Sequence, residues 1–143
     1  MYGNNIGDMA WMDLSVPDAE PVKLFYQAVL GWKSESTDMS HNGEAYQDFT
    51  MSNSDNETSQ DQSSTADSGN AMFMTGICHA KGANKDIPAA WLPYFLVANL
   101  DEAIVKVNSL KGSLITEVKS MGADRYIVIK DPAGASCALY QKG

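Results

Sequence analysis

The sequence predicts an α+β fold: two paired βαβββ modules whose strands make a curved mixed sheet around a central cleft. Three observations carry this expectation. The stretch Trp11-Met12-Asp13-Leu14-Ser15-Val16-Pro17-Asp18 alternates as a half-buried strand does and ends on a proline. A helical segment follows it and closes on Leu30-Gly31. The second half of the chain repeats the plan, with a strand over Tyr94–Asn99, a helix over Leu100–Leu110, and Gly112 to stop it.

Taken in order, residues 1–8 read as a loose lead-in containing Gly3, Asn4, Asn5 and Gly7. In the first strand Leu14 and Val16 share one face, and Trp11, Asp13 and Ser15 share the other. Asp18 suits a helix N-cap, Glu20 favours the first turn, and Pro21 is tolerated there because that turn needs no intrahelical N–H. Val22, Phe25, Tyr26 and Val29 fall at i, i+3, i+4 and i+7, which predicts an inward stripe. Strands are expected from Trp32 to about Thr37 and over Ala45–Met51, joined by a turn at His41-Asn42-Gly43. Ser52–Asn70 is almost wholly polar and cannot offset its own ordering entropy, so it reads as a long exposed loop. Its carboxylates lack the spacing and the turn glycine of a calcium loop.

A fourth strand is expected over Ala71–Cys78, then a polar linker over His79–Pro88. In the second module Asn99 and Glu102 have capping-box spacing, and Leu100, Ala103, Ile104, Val107 and Leu110 form the helix stripe. The remaining strands are Leu114–Val118, Arg125–Ile129 and Ser136–Gln141, with a tight turn at Asp131-Pro132-Ala133-Gly134. This gives one domain over 1–143, with module one at about 9–80, its loop at 52–70, and module two at about 91–142.

Composition narrows the function. The 143 residues carry a formal net charge of −8, and the 10 basic residues are scattered, which argues against nucleic acid or an anionic membrane as partner. No apolar run approaches the roughly 20 residues that span a bilayer. Met1–Ala10 lacks the basic start and apolar centre of a signal peptide, so a cytoplasmic protein is expected. Cys78 and Cys137 form no disulfide framework and match no zinc spacing. Nucleophile elbows, phosphate loops and dinucleotide fingerprints are absent.

Several pieces carry a resemblance over nearly the whole chain. They are Asp13-Leu14-Ser15-Val16-Pro17-Asp18, then Phe25-Tyr26 with Leu30-Gly31-Trp32, then Trp91-Leu92-Pro93-Tyr94-Phe95-Leu96-Val97, and finally Asp131-Pro132-Ala133-Gly134-Ala135. In order and spacing they resemble the vicinal oxygen chelate superfamily, the group of glyoxalases, bleomycin-resistance proteins and extradiol dioxygenases. The resemblance implies a cleft and, in the enzymes, a divalent Mn, Fe, Ni or Zn held by His, Gln or Glu from four strands. The matching positions here are Trp11, Met74 or Gly76, Leu92 and Ala138, none of which ligates such an ion. No metal and no other cofactor is therefore expected.

The resemblance thus implies a protein that binds a small aromatic or amphipathic molecule, as in the drug-sequestering branch, commonly as a homodimer. The alternatives are a metal-dependent lyase or dioxygenase of the same superfamily and a non-catalytic interaction module. The expected ligand-binding residues are Trp11, Asp13, Tyr46, His79, Trp91, Tyr94 and Arg125. The aromatics would wall the cleft. Asp13, the candidate catalytic residue, could orient an amine or hydroxyl or act as general base. His79 ends a strand and could ligate or titrate. Arg125, if inward, could pair with Asp13 or a ligand carboxylate. Cys137, next to Ala138, should face the helix side as a small apolar residue.

Overall fold

The structure, a computed structural model, describes residues 2–53 and 73–143. The bulk of the polar loop expected over 52–70 therefore lies outside the described residues, as does the beginning of the strand expected from Ala71.

Strand β1 (Met9–Val16) runs into helix α1 (Ala19–Leu30), followed by β2 (Lys33–His41), β3 (Glu44–Ser52) and β4 (Met74–His79). The second module comprises β5 (Trp91–Leu96), α2 (Leu100–Ser109), β6 (Ser113–Leu114), β7 (Lys119–Met121), β8 (Asp124–Lys130) and β9 (Ser136–Gln141). The described strands form a single sheet in the order β2-β3-β4-β1-β5-β9-β8-β6, with β7 on β8. β1 and β5 join the modules antiparallel within the chain. β1 pairs β4 and β5 pairs β9 in parallel, so each module repeats the pattern of the other.

Turn chemistry sets the hairpins. Asn42 and Gly43 both have positive φ (53° and 82°), the two-residue geometry that matches strand twist between β2 and β3. Between β8 and β9, Asp131 Oδ1 accepts the N–H groups of Ala133 and Ala135 at 2.8 and 3.0 Å, and Gly134 has φ 91°. Gly31 caps α1 with φ 72°, as expected, and the Asn99 side chain accepts from Glu102 N at 3.0 Å at the start of α2.

The structure departs from the sequence expectations at several places. Asp18 occupies the N-cap of α1 but makes no side-chain capping bond. The inward stripe of α1 is Ala19, Val22 and Tyr26, while Phe25 and Val29 are 54% and 61% exposed. The i+4 neighbour sets the inward direction here, because Tyr26 is held by Trp91 and Trp32. On α2, Leu110 lies beyond the last helical turn and is exposed, and Lys111 rather than Gly112 takes the left-handed conformation. Gly112 is needed for another reason: a Cβ there would lie 2.8 Å from Lys130 O. Of the strand expected over Leu114–Val118 only Leu114 is in a strand, β6; residues 115–118 are irregular, with Thr116 turned in to accept Val128 N, and β7 begins at Lys119.

Both helices cover one face of the sheet. Leu14, Val16, Phe49, Met51 and Ile77 pack under α1, and Ile127 and Ile129 pack under Leu100 of α2. Cys137 joins the latter, on the helix side as expected. The other face is free of α-helices; along β5, β8 and β9 it is partly filled by Ile87 of the linker, packed with Leu92, Tyr94, Tyr126, Val128 and Ala138.

Candidate ligand cleft

The free face holds a cavity of about 470 Å³. Its walls include Trp11 and Asp13 from β1, Cys78 from β4, Tyr94 from β5, Tyr126 from β8 and Tyr140 from β9. These positions share a face because alternation along each strand is combined with cross-strand pairing. Trp11 stands opposite Tyr94, Tyr94 opposite Ala138, and Tyr126 opposite Tyr140. The β1–β5 register slips between Met9 and Trp11, so Ala10 is an extra residue and both Ala10 and Trp11 reach the cavity.

Asp13 is the polar centre of this face. Trp11 Nε1 donates to its Oδ1 at 2.5 Å, and the Tyr94 hydroxyl and the Gly76 N–H donate to the same carboxylate. Gly76 stands directly across from Asp13 on β4, and a Cβ there would come within 2.2 Å of Oδ1. A side chain at position 76 and the carboxylate cannot share that space. Burial pushes the Asp13 carboxyl up to about 6; the neighbouring Asp48 adds to the rise, and the three donors oppose it. Burial and the Asp13 carboxylate keep the Tyr94 hydroxyl and the Cys78 thiol well above their usual ranges. Cys78 is further held as a thiol by donating to Asp48. It is therefore no nucleophile at neutral pH. The cleft thus presents the part-buried Asp13 carboxylate, with Asp48 beside it, as a group that can accept a hydrogen bond, offer counter-charge, or take a proton.

Three of the expected ligand-binding residues, Trp11, Asp13 and Tyr94, thus line one cavity. Four do not. Trp91 lies on the opposite sheet face, its Nε1 donating to Tyr26 Oη at 3.2 Å and its ring edge-on to Trp32. It is an odd residue on a strand whose even residues face the cavity, so Trp91 and Tyr94 cannot share a wall. Arg125 turns outward to clasp Asp101 of α2, with Nη2–Oδ1 at 2.9 Å and Nη1–Oδ2 at 3.3 Å. The hairpin register puts Tyr126 inward instead. His79 is tied at the strand end: its Nδ1 is 2.9 Å from Gln47 O, its backbone N donates to Asp48 Oδ1 at 2.8 Å, and Asp18 is 3.7 Å from Nε2. Tyr46 packs edge-on against that imidazole and under Lys81.

Tyr126, Tyr140, Cys78 and Asp48 are cavity residues that sequence reasoning missed. The signal for two of them was present. Once Ala138 is placed on the cleft face, counting back through the Asp131–Gly134 turn puts Tyr126 and Tyr140 on that same face.

Family membership follows from comparison with known proteins. Residues 8–139 match the profile of the Glyoxalase/Bleomycin resistance protein/Dioxygenase superfamily. The chain belongs to that superfamily. Similar curated proteins are the anthracycline biosynthesis protein DnrV of Streptomyces peucetius, 30% identical over 141 residues, and DauV of Streptomyces sp., 29% identical over 141 residues. Each alignment takes in 96% of this chain and 48% of the relative, so the chain spans about half the length of these relatives. Among solved structures, a superfamily member from Vibrio splendidus aligns over 92% of this chain and 97% of its own, with TM-score 0.50 and 15% identity. Methylmalonyl-CoA epimerase from Mycobacterium tuberculosis aligns over 100% and 93%, with TM-score 0.50 and 14% identity. These likenesses show the shared fold.

The positions at which the resemblance implies metal ligands carry Trp11, Met74 or Gly76, Leu92 and Ala138. Leu92 and Ala138 are fully buried, packed with Val128 in a cluster that includes Ile87 from the inter-module linker and, beside it, Ile115. Trp11 offers only its N–H, which is spent on Asp13. Among the described residues no group of three His, Cys, Asp or Glu side chains could hold a metal ion. The residues present do not fit the superfamily's divalent ion. No helix among the described residues is long and apolar enough to cross a membrane.

Proposed function

We propose that this protein binds a small aromatic or amphipathic molecule in the cleft, without a metal or other cofactor. The observation that carries the reading is the cavity itself. Its volume of about 470 Å³ lies within the range of small-molecule pockets, and its walls combine four aromatic rings with the carboxylates Asp13 and Asp48. Trp11, Tyr94, Tyr126 and Tyr140 supply flat apolar faces, and Asp13 supplies orientation. Relatives with anthracycline biosynthesis in their names are consistent with a polycyclic ligand. The reading includes a homodimer, supported by the apolar outer side of α1, where Leu24, Phe25, Val29 and Leu30 are all at least half exposed.

A thermal-shift screen of planar aromatic compounds, run with elemental mass spectrometry on protein purified without chelator, tests this. Ligands that bind the folded state raise the midpoint by mass action. The expected result is a set of aromatic hits and sub-stoichiometric metal. Near-stoichiometric Mn, Fe, Ni or Zn, lost to chelator together with all stabilisation, would overturn the reading. Light scattering during size exclusion measures the oligomeric state.

A further inference from the structure

We propose that the cleft selects a cationic ligand: an aromatic body carrying a protonated amine, with the ammonium group placed against Asp13. The inference rests on the small-molecule reading above and specifies its ligand class.

The argument starts from what surrounds the carboxylate. Its neighbours are the Trp11 indole N–H, the Tyr94 hydroxyl, the Gly76 N–H and a second carboxylate, Asp48. The first three are dipoles. They hold the anion in place without supplying counter-charge, and Asp48 adds charge of the same sign. Among the described residues no basic side chain is found beside Asp13. Lys142, on the cavity wall, donates to Asn4 Oδ1 at 2.8 Å, Lys81 pairs with Glu44 at 3.3 Å, and Arg125 pairs with Asp101. The face is therefore a preorganised anionic pocket whose charge is left for a guest to complete.

Glycine at position 76 reinforces this. It keeps a space that any side chain would fill, and the Asp13 carboxylate occupies it. A strand position with no need for positive φ would gain stability from a β-branched residue, so the glycine serves the carboxylate rather than the strand. The walls fit the same guest. Trp11, Tyr94, Tyr126 and Tyr140 line the same cavity, and an ammonium that reaches the carboxylate over one of these rings gains cation–π attraction in addition to its ion pair. A carboxylate-bearing guest would instead meet Asp13 and Asp48 together.

The test uses three probes that share one ring system: tryptamine (cation), tryptophol (neutral) and indoleacetate (anion). Their affinities are measured by calorimetry at pH 7.5 on the wild type and on Asp13→Asn. Tryptamine should bind about tenfold or more tightly than tryptophol, the size expected of one charge-assisted contact away from water, and indoleacetate should bind most weakly. Asp13→Asn should bring tryptamine and tryptophol together. If Asp13→Asn does not fold, a wild-type pH series replaces it. The tryptamine preference should then fall away below pH 6 as Asp13 takes up a proton, while Tyr94, Tyr126, Tyr140 and Cys78 stay neutral throughout.

Equal binding of all three probes would leave the aromatic cleft standing and overturn the cation proposal. So would a tryptamine preference that survives in Asp13→Asn, because net charge alone would then explain it. Binding of none of the three, with neutral aromatics still raising the thermal midpoint, would also overturn it. Failure of every aromatic compound would instead remove the small-molecule reading on which it stands.

Discussion

Replacing Gly76 with alanine isolates the contact at the heart of the cleft. The new Cβ would lie 2.2 Å from Asp13 Oδ1 and 3.1 Å from its Cγ, well inside van der Waals contact, so the carboxylate must leave its seat. Leaving breaks the Trp11 and Tyr94 bonds and removes the Gly76 N–H partner inside the fold. Lost charge-assisted bonds cost about 1.5–3 kcal/mol each, partly recovered if the carboxylate finds water, and overpacking alone costs about 1–3 kcal/mol. Against this, alanine in an ordinary strand conformation gains roughly 0.5–1 kcal/mol over glycine. The net expectation is a loss of about 2–4 kcal/mol. The same substitution in an Asp13→Ala background meets no carboxylate and should gain roughly 0.5–1 kcal/mol, so the double-mutant cycle should return a coupling of about 2.5–5 kcal/mol. Urea unfolding of the four proteins, followed by tryptophan fluorescence, measures it. Equal costs for Gly76→Ala in both backgrounds would refute the claim that glycine is there to seat the carboxylate.

Stability should also respond to pH through Asp13. Its folded-state value is pushed up to about 6 from an ordinary value near 3.8, so the folded chain holds this proton more firmly than the unfolded one. The stabilisation is full below about pH 4 and is lost as pH rises through 6, on the order of 3 kcal/mol in all. Wild type should gain on Asp13→Asn by this amount between pH 7.5 and pH 4, measured as unfolding free energies; a difference flat with pH would refute the assignment. Trp91→Phe, on the helix side, should cost about 1–3 kcal/mol through its lost bond to Tyr26 and reduced packing, while leaving probe affinity unchanged by calorimetry. Arg125→Ala should likewise leave probe affinity unchanged, because the guanidinium reaches Asp101 on the outer surface; weakened binding of tryptamine or tryptophol would show that it serves the cleft.

Much of the fold was legible because local chemistry specified it. Pro17 and the left-handed glycines mark boundaries that any tertiary context must respect, and the repeated strand–helix order marks the two modules. The faces of β1 were legible for the same reason: an alternation of Leu14 and Val16 against Trp11 and Asp13 has one solution in a sheet covered on one side. Helix phase was less legible. Val22, Phe25, Tyr26 and Val29 fit a stripe, but a stripe broad enough to include four apolar residues does not say which edge is buried, and Trp91 from another strand decided that for Tyr26. The candidate site was legible only where one strand supplied it. Trp91 and Tyr94 looked equivalent as aromatics, yet their odd and even positions on β5 send them to opposite faces.

The amino-acid sequence alone determined the superfamily's architecture, and at positions where the resemblance implies metal ligands it carries Trp11, Leu92 and Ala138, which have no side-chain atoms that bind a hard ion. Tertiary structure alone decided what stands in that place. Only the parallel pairing of β1 with β4 brings Gly76 beneath Asp13, only the antiparallel pairing with β5 brings Tyr94 beside it, and only the β8–β9 register brings Tyr126 and Tyr140 to the same wall. These contacts join residues far apart along the chain, and their energies depend on burial, a property that no residue has until the sheet has formed.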